Sequence, residues 1–288
     1  MNDPVPPKRI FPTSKVDADA AQHVPSIPQT ESKAYKLAFQ DTDFLLREDL
    51  RPVRFQLELL KPELFLDEAK IRSMFVFYGS ARIPEPAEAD ALIAAATNDR
   101  QRATAERLKA KSHYYTVAYE LARLASRTAP DDDGWRNFVV CSGGGPSIME
   151  AANRGAHDEG RETIGLNIVL PHEQLPNTYV TPELSFQFHY FALRKMHFLL
   201  RARAVAVFPG GFGTFDEMFE LLTLIQTGKV RPLPLLLFGR DYWNTVVNFQ
   251  ALADEGVIDP HDLELIHWCE DAQEAWDFVE RFYEDRAG

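Results

Sequence analysis

Short apolar runs alternate with longer amphipathic stretches from residue 74 to the end of the chain. The runs are not strictly alternating in polarity, which is typical of strands covered on both faces. We predict strands over Met74–Tyr78, Phe138–Cys141, Ile164–Leu170, Leu184–Phe188, Ala204–Phe208 and Leu233–Phe238. This order of elements predicts an α/β fold with a doubly wound parallel sheet.

The stretches between the runs have apolar residues at helical spacing. We predict helices over Ala87–Ala110, Tyr114–Ser126, Phe191–Arg203, Trp243–Ala253 and Ala272–Arg286, and two more that begin near Ser147 and Thr214. In such folds ligands bind beyond the carboxyl ends of the strands, at the point where the strand order reverses.

The first 72 residues have a different character. Residues 1–30 are rich in proline and polar residues, so we expect a disordered tail or a strap on a partner subunit. The pattern of residues 31–72 is helical and predicts a helical extension of the domain. Pro52 and Pro62 should break this extension into short helices. Residues 73–288 then form the α/β domain.

The net charge of −12 argues against binding to nucleic acid or anionic membranes. The two cysteines form no disulfide framework, and the histidines have no metal-ligand spacing. The N-terminus lacks a signal peptide, and no apolar run approaches the roughly 20 residues of a membrane span. We therefore expect a cytoplasmic protein without a metal.

A glycine loop follows the apolar run Ala204–Phe208. It contains Gly210, Gly211 and Gly213, and a helix begins near Thr214. Strand, glycine loop and helix start direct backbone N–H groups and a helix dipole at an anion, so we predict a phosphate site. The loop matches neither the P-loop nor the dinucleotide pattern. The alternative is a tight connection that needs glycine for its geometry alone.

A second glycine loop, Ser142–Pro146, follows another predicted strand. Glu150 lies one turn into the next helix, where it is either a capping carboxylate or a pocket residue. Both loops lie at carboxyl ends of strands, so one pocket could use both.

Glu217 lies one turn into the helix that follows the first glycine loop. The helix dipole favours an acid there, but this helix is apolar nearly all round and is expected to be buried, partly by another subunit. A carboxylate on a buried helix beside an anion site is costly unless it has a function. Arg194 and Lys195 precede the same strand, and the start of their helix should face the pocket.

Three segments of the chain are distinctive when taken together. They are FYGSARIP (77–84), GGGPSIMEAANRGA (143–156) and FALRKMHFLLRARAVAVFPGGFGTFDE (191–217). Their combination resembles the LOG family of cytokinin-activating nucleoside 5′-monophosphate phosphoribohydrolases, many of which were long labelled "possible lysine decarboxylases". The resemblance implies a Rossmann-like fold, a homodimer or a multiple of dimers, and cleavage of a nucleoside monophosphate to free base and ribose 5-phosphate without a cofactor. This chain differs from small plant-type members of the family in having Glu150 in place of glycine.

The resemblance also assigns residues. It implies that Arg194 and Glu217 are catalytic. The residues expected to contact the phosphate and ribose are Lys195, Gly210, Gly211, Gly213 and Thr214. The residues expected in segments that contact the nucleotide are Ser80, Gly144, Met149 and Glu150.

Two other functions compete with this prediction. One is a non-catalytic carrier of a phosphorylated ligand, similar to the molybdenum-cofactor carrier proteins, which would have a phosphate pocket without a working acid. The other is a structural or regulatory member of the family, in which the extra helices cover the pocket. The lysine decarboxylase label finds no support, because nothing resembles a pyridoxal phosphate site and Lys195 is better explained by an anion.

Overall fold

The computed structural model of the protein describes residues 11–171 and 175–287. Its contacts divide the chain into two compact units, with the boundary between Glu58 and Leu59. The boundary lies inside a helix and not at residue 72, where the sequence pattern changes. No helix in the described ranges is both long and apolar enough to cross a membrane.

The first unit consists of short helical segments. They are α1 (Ser14–Ala21), α2 (Thr42–Leu45), the beginning of α3 (Arg51–Glu68), and the 3₁₀ turns Lys33–Tyr35, Ala38–Gln40 and Glu48–Leu50. Helix α1 falls within the expected tail and is capped by the Thr13 hydroxyl, which accepts from the Val16 N–H at 3.4 Å. Residues 1–10 lie outside the described residues.

The expected break at Pro62 is wrong. Pro62 lies inside α3, which continues to Glu68. An interior proline removes one helical hydrogen bond. Here Pro62 and Leu66 are buried, and packing of this face offsets the lost bond.

In the described part of the second unit, seven strands form one sheet, and every pair is parallel. The strands are β1 (Met74–Tyr78), β2 (Val139–Ser142), β3 (Ile164–Ile168), β4 (Ser185–Phe188), β5 (Ala202–Val207), β6 (Leu235–Phe238) and β7 (His267–Cys269). Their order is β4-β3-β2-β1-β5-β6-β7. The predicted doubly wound parallel sheet is confirmed, with the switch point between β1 and β5.

The helices of this unit continue the numbering in chain order. They are α4 (Ala89–Ala94), α5 (Asp99–Lys109), α6 (His113–Ser126), α7 (Ile148–Asp158), α8 (Phe191–Leu200), α9 (Phe212–Gln226), α10 (Arg240–Val246), α11 (Phe249–Asp254) and α12 (Ala272–Ala287), with 3₁₀ turns at Pro182–Leu184 and Pro260–Leu265.

Successive residues of the central strands enter two different cores. On β1, Phe75 and Phe77 pack with residues of α6, α7 and α12. Met74, Val76 and Tyr78 pack on the other face with residues of α8 and α9. Both faces of the sheet are therefore covered, which explains why the strands are continuously apolar.

Several elements differ from the sequence prediction. The helix predicted over Ala87–Ala110 is two helices, α4 and α5, and the helix predicted over Trp243–Ala253 is divided between α10 and α11. The helix predicted over Phe191–Arg203 ends at Leu200, and Arg203 belongs to β5. Arg203 is accommodated at this strand because its guanidinium stacks on the Tyr283 ring, 4.0 Å from the centroid. The strand His267–Cys269 was not predicted, because it is only three residues long.

Candidate active site

The phosphate loop, Pro209–Thr214, follows β5 and includes the first residues of α9, which begins at Phe212 and not near Thr214. Gly211 is the N-cap residue, and no side chain caps the helix. Among the described residues, no group accepts a hydrogen bond from the N–H of Gly211, Phe212, Gly213 or Thr214. These are the unsatisfied donors of a helix start, where the helix dipole also favours an anion.

The glycines of the phosphate loop have two different reasons to be glycine. A Cβ on Gly210 would lie 2.1 Å from Thr214 Oγ1, so the helix start closes onto the loop there. A Cβ on Gly211 or Gly213 would meet no atom within 4 Å. The space beside these two residues is open to a ligand.

The second glycine loop, Ser142–Pro146, follows β2 and is held by buried polar groups. Gly144 has φ +72°, and a Cβ there would lie 2.2 Å from Asn167 Oδ1. The Gly144 N–H donates to Ser142 Oγ at 3.0 Å, and that hydroxyl donates to Asn153 Oδ1 at 2.6 Å. Asn177 donates to the same Asn153 oxygen at 2.9 Å and, through its main-chain N–H, to the Gly144 carbonyl at 2.8 Å. The loop is thus fixed on several sides.

Ser80, just beyond β1, connects the two glycine loops. Its main-chain N–H donates to the Pro209 carbonyl at 3.1 Å. Its carbonyl accepts from the N–H of Ile148 at the start of α7, at 3.4 Å. The two loops predicted separately therefore adjoin at the switch point of the sheet.

Arg194 and Glu217 meet beside these loops. Arg194 Nη1 lies 3.3 Å from Glu217 Oε1, and the two side chains are only 12% and 13% exposed. Arg194 Nε donates to the Leu166 carbonyl on β3 at 2.7 Å, which orients the guanidinium. A Cβ on Gly143 would lie 2.6 Å from Arg194 Nη2, so this glycine makes room for the arginine.

Burial raises the pKa of Glu217 to about 7, and the charge of Arg194 offsets part of that rise. A carboxyl group with this pKa is present in both protonation states near neutral pH. It can therefore accept or donate a proton there. Tyr78 lies close by at the end of β1, and its pKa is raised well above the usual value by burial and then by the Glu217 charge.

Lys195 lies on the outer side of the Arg194–Glu217 pair. Its ammonium group is 2.9 Å from Asp216 Oδ1 and 3.1 Å from Glu220 Oε2, both on α9. In this structure it therefore joins α8 to α9 through two carboxylates. A role at the phosphate would require it to exchange one of these partners.

Met149 and Glu150 occupy the first turn of α7. The Met149 sulfur lies 2.9 Å from the position of a Cβ on Gly143, beside the second loop. The Glu150 carboxylate accepts from the Tyr115 hydroxyl on α6 at 3.1 Å. Met149 therefore borders the same side of Gly143 as Arg194, whereas the Glu150 carboxylate is held by α6.

A groove of about 1170 Å³ lies elsewhere on this unit, between α8, α9 and α12. It is lined by Ala202 and Leu233, which lie at the amino ends of β5 and β6. Neither Arg194 nor Glu217 borders it. Parallel sheets bind ligands at the opposite end, so we do not assign the active site to this groove.

The sequence analysis did not identify the buried residues that hold the second glycine loop and Arg194 in place. Asn153 is fully buried, yet it belongs to the helix α7 face formed by alanines. A polar residue on an otherwise small, apolar helix face was the available signal. Asn167 and Phe198 gave no such signal; Phe198 packs under Arg194, whose guanidinium lies 5.0 Å from its ring centroid.

This chain is similar to a known family and to several named proteins. Residues 149–279 match the family described as "Possible lysine decarboxylase". A rice protein (Oryza sativa subsp. japonica) named "Probable cytokinin riboside 5′-monophosphate phosphoribohydrolase" is 29% identical over 61% of this chain and 81% of its own length. An Arabidopsis thaliana protein with the name "Cytokinin riboside 5′-monophosphate phosphoribohydrolase" is 29% identical over 54% of this chain and 69% of its own length.

Two solved structures are also similar. The structural-genomics protein TM1055 has a TM-score of 0.46 and 20% identity, over 73% of this chain and 99% of that one. The molybdenum cofactor carrier protein from Chlamydomonas reinhardtii has a TM-score of 0.40 and 18% identity, over 74% of this chain and 99% of that one.

Proposed function

Since this chain belongs to the LOG family, we propose that it is a nucleoside 5′-monophosphate phosphoribohydrolase. It hydrolyses the N-glycosidic bond of an AMP-like or cytokinin nucleotide and releases the free base and ribose 5-phosphate. The observation that supports this most directly is the buried Arg194–Glu217 pair beside a helix start with free N–H groups.

The phosphate loop supplies affinity for the 5′-phosphate. Its unsatisfied N–H groups and the dipole of α9 favour an anion. Binding energy gained at this group, which does not react, positions the scissile bond at the ribose.

Glu217 acts at the sugar. Cleavage of the C1′–N bond passes through an oxocarbenium-like state with positive charge on the ribose. The ionised carboxylate stabilises that charge and orients the attacking water. Its pKa of about 7 gives a substantial ionised fraction at neutral pH.

Arg194 acts on the opposite charge. Its guanidinium stabilises negative charge on the departing base or holds the phosphate. The bond from its Nε to the Leu166 carbonyl keeps it in place while Nη1 contacts Glu217. No step requires a metal or an organic cofactor.

We also propose that the protein is a homodimer or a multiple of dimers, and that α9 contributes to the interface. Phe212 at the start of α9 is 96% exposed, and Phe215 and Phe219 on the same helix are only partly buried. A second copy that covers this face would remove apolar surface from water. Light scattering after size exclusion should give a dimer or larger for the wild type and a smaller species for Phe212→Asp.

The activity test uses AMP, a prenylated AMP, other purine monophosphates and a pyrimidine monophosphate. Free base and ribose 5-phosphate are measured separately, with adenosine as the substrate that lacks phosphate. Release of both products from a monophosphate supports the proposal. Tight binding of a monophosphate without release of base from any of them would contradict it and favour a carrier of a phosphorylated ligand.

A further inference from the structure

Three successive carbonyl groups of the phosphate loop are held by hydrogen bonds. The Pro209 carbonyl accepts from the Ser80 N–H at 3.1 Å, and the Gly211 carbonyl accepts from the Phe215 N–H at 3.1 Å. Between them, the Gly210 carbonyl accepts from the Tyr242 hydroxyl at 2.5 Å. Two anchors are main-chain groups, and the middle one is a side chain.

These anchors determine where the N–H groups of the loop point. In a trans peptide the C=O and the following N–H point in opposite directions, and the described residues contain no cis peptide. Fixing the Gly210 carbonyl toward Tyr242 therefore turns the Gly211 N–H away from Tyr242. Within the described residues, that N–H donates to no protein group.

Tyr242 is itself held firmly. It lies on α10, and its ring packs edge-on against Trp243 at 5.2 Å between centroids. Trp243 is fully buried and donates through Nε1 to the Phe238 carbonyl at 2.8 Å. The hydroxyl of Tyr242 thus reaches the loop from a support packed into the core.

We infer that Tyr242 is a positioning residue of the phosphate loop: its hydroxyl fixes the Gly210 carbonyl and so directs the Gly211 N–H at the phosphate of the substrate. This role rests on the proposed function, since it takes a phosphate to be the ligand. Tyr242 does not contact the reacting atoms. It acts through the orientation of one peptide group.

The variant that tests this role is Tyr242→Phe, which removes the hydroxyl and keeps the ring. The matched control is Tyr283→Phe, because the Tyr283 hydroxyl also donates to a main-chain carbonyl at 2.5 Å, that of Arg203, in a part-buried position. Calorimetric binding of ribose 5-phosphate is measured for the full chain and both variants. Tyr242→Phe should raise the Kd about fivefold, the effect of one net hydrogen bond, whereas Tyr283→Phe should leave it unchanged.

A second measurement needs no ligand. In spectra of protein labelled with ¹⁵N at glycine only, Tyr242→Phe should shift or broaden the Gly210 and Gly211 amide signals and leave distant glycines such as Gly160 unaffected. A general loss of structure would move signals throughout the chain. Tyr283→Phe should leave both loop signals in place.

The outcomes separate the two proposals. Wild-type Kd in Tyr242→Phe, equal weakening in both variants, or unchanged Gly210 and Gly211 signals would each overturn the role of Tyr242. If the wild-type protein releases no base from any of the monophosphates, the proposed function is contradicted. The glycine spectra then still decide whether Tyr242 orders the loop.

Discussion

Nη1 of Arg194 lies 3.3 Å from Oε1 of Glu217, and both side chains are almost completely buried. The two residues are 23 positions apart in the sequence. Arg194 belongs to α8, which precedes β5 in the chain, and Glu217 belongs to α9, which follows it. The charge of Arg194 lowers the pKa of Glu217, but burial raises it more, so the net value is about 7. Glu217 is therefore the titratable group to test first.

Glu217→Gln should lower the rate of base release from AMP by about 10²- to 10⁴-fold, the range for loss of a positioned acid–base group. Glutamine keeps the size of the side chain and cannot ionise. The matched control is Asp216→Asn, which changes a neighbouring carboxylate that is 56% exposed. Base release from AMP is measured by chromatography at fixed pH for each variant.

The control should keep most of the wild-type rate. Full activity in Glu217→Gln would exclude the mechanism and leave the function open. A similar loss in both variants would show that total charge on α9, rather than Glu217 itself, determines the rate.

The rate should depend on pH through Glu217. If the ionised carboxylate is required, log(kcat/KM) for AMP should rise with pH and level off above about 7, the pKa of Glu217. The phosphate of the substrate also titrates, near pH 6. The Kd of ribose 5-phosphate measured over the same pH range corrects for that second titration. A corrected profile that is flat between pH 5 and 8 would contradict the assignment.

The contribution of Glu217 to stability should decrease as pH rises, whereas the rate should increase. The pKa of Glu217 is raised from 4.5 in the unfolded chain to about 7 in the folded protein. Its contribution to stability is therefore fully present below pH 4.5 and is lost as pH rises through about 7. The free energy of unfolding of the wild type minus that of Glu217→Gln should therefore fall by about 3 kcal/mol as pH rises through this window.

Urea unfolding of the two proteins at pH 4, 5.5, 7 and 8.5 measures this difference. Taking the difference removes groups that titrate equally in both. A difference that does not change with pH would mean that Glu217 has an ordinary pKa, and the predicted pH–rate profile would fail with it.

Much of the α/β unit could be predicted from the sequence because its signals are local. The run Met74–Tyr78 is buried at every position and is a strand with the predicted bounds. Gly210 and Gly211 follow a buried strand and precede a helix, as predicted, whereas Gly213 lies in the first turn of that helix, which begins at Phe212 and not near Thr214. The strand β7 was missed because His267–Cys269 is stabilised by pairing with β6, which no local pattern indicates.

The supports of the site could not be predicted for a related reason. Tyr242 reaches Gly210 across 32 positions, and Asn167 lies beneath Gly144 on a neighbouring strand. Such contacts depend on the order of strands in the sheet. The pairing of Lys195 with Asp216 and Glu220 could not be predicted either, since it depends on how α8 packs against α9.

Substitution by alanine at two glycines of the phosphate loop should change the stability of the protein in opposite directions. In Gly210→Ala the new Cβ would lie 2.1 Å from Thr214 Oγ1 and 2.6 Å from Thr214 Cβ, so the loop or the start of α9 must shift. We expect overpacking to destabilise the protein by about 1–3 kcal/mol, and ribose 5-phosphate binding to weaken. In Gly213→Ala the Cβ enters open space on a helical residue, which should stabilise the protein by about 0.5–1 kcal/mol.

Thermal and urea unfolding give the stability of both variants, and calorimetry gives their affinity for ribose 5-phosphate. Gly213→Ala also tests how close the ligand comes. If the phosphate lies against the N–H groups of α9, the added methyl group should weaken its binding even though the fold is more stable. A Gly210→Ala variant with wild-type stability and affinity would show that Thr214 can move aside, and that the close approach of Gly210 to the helix start is not needed for the site.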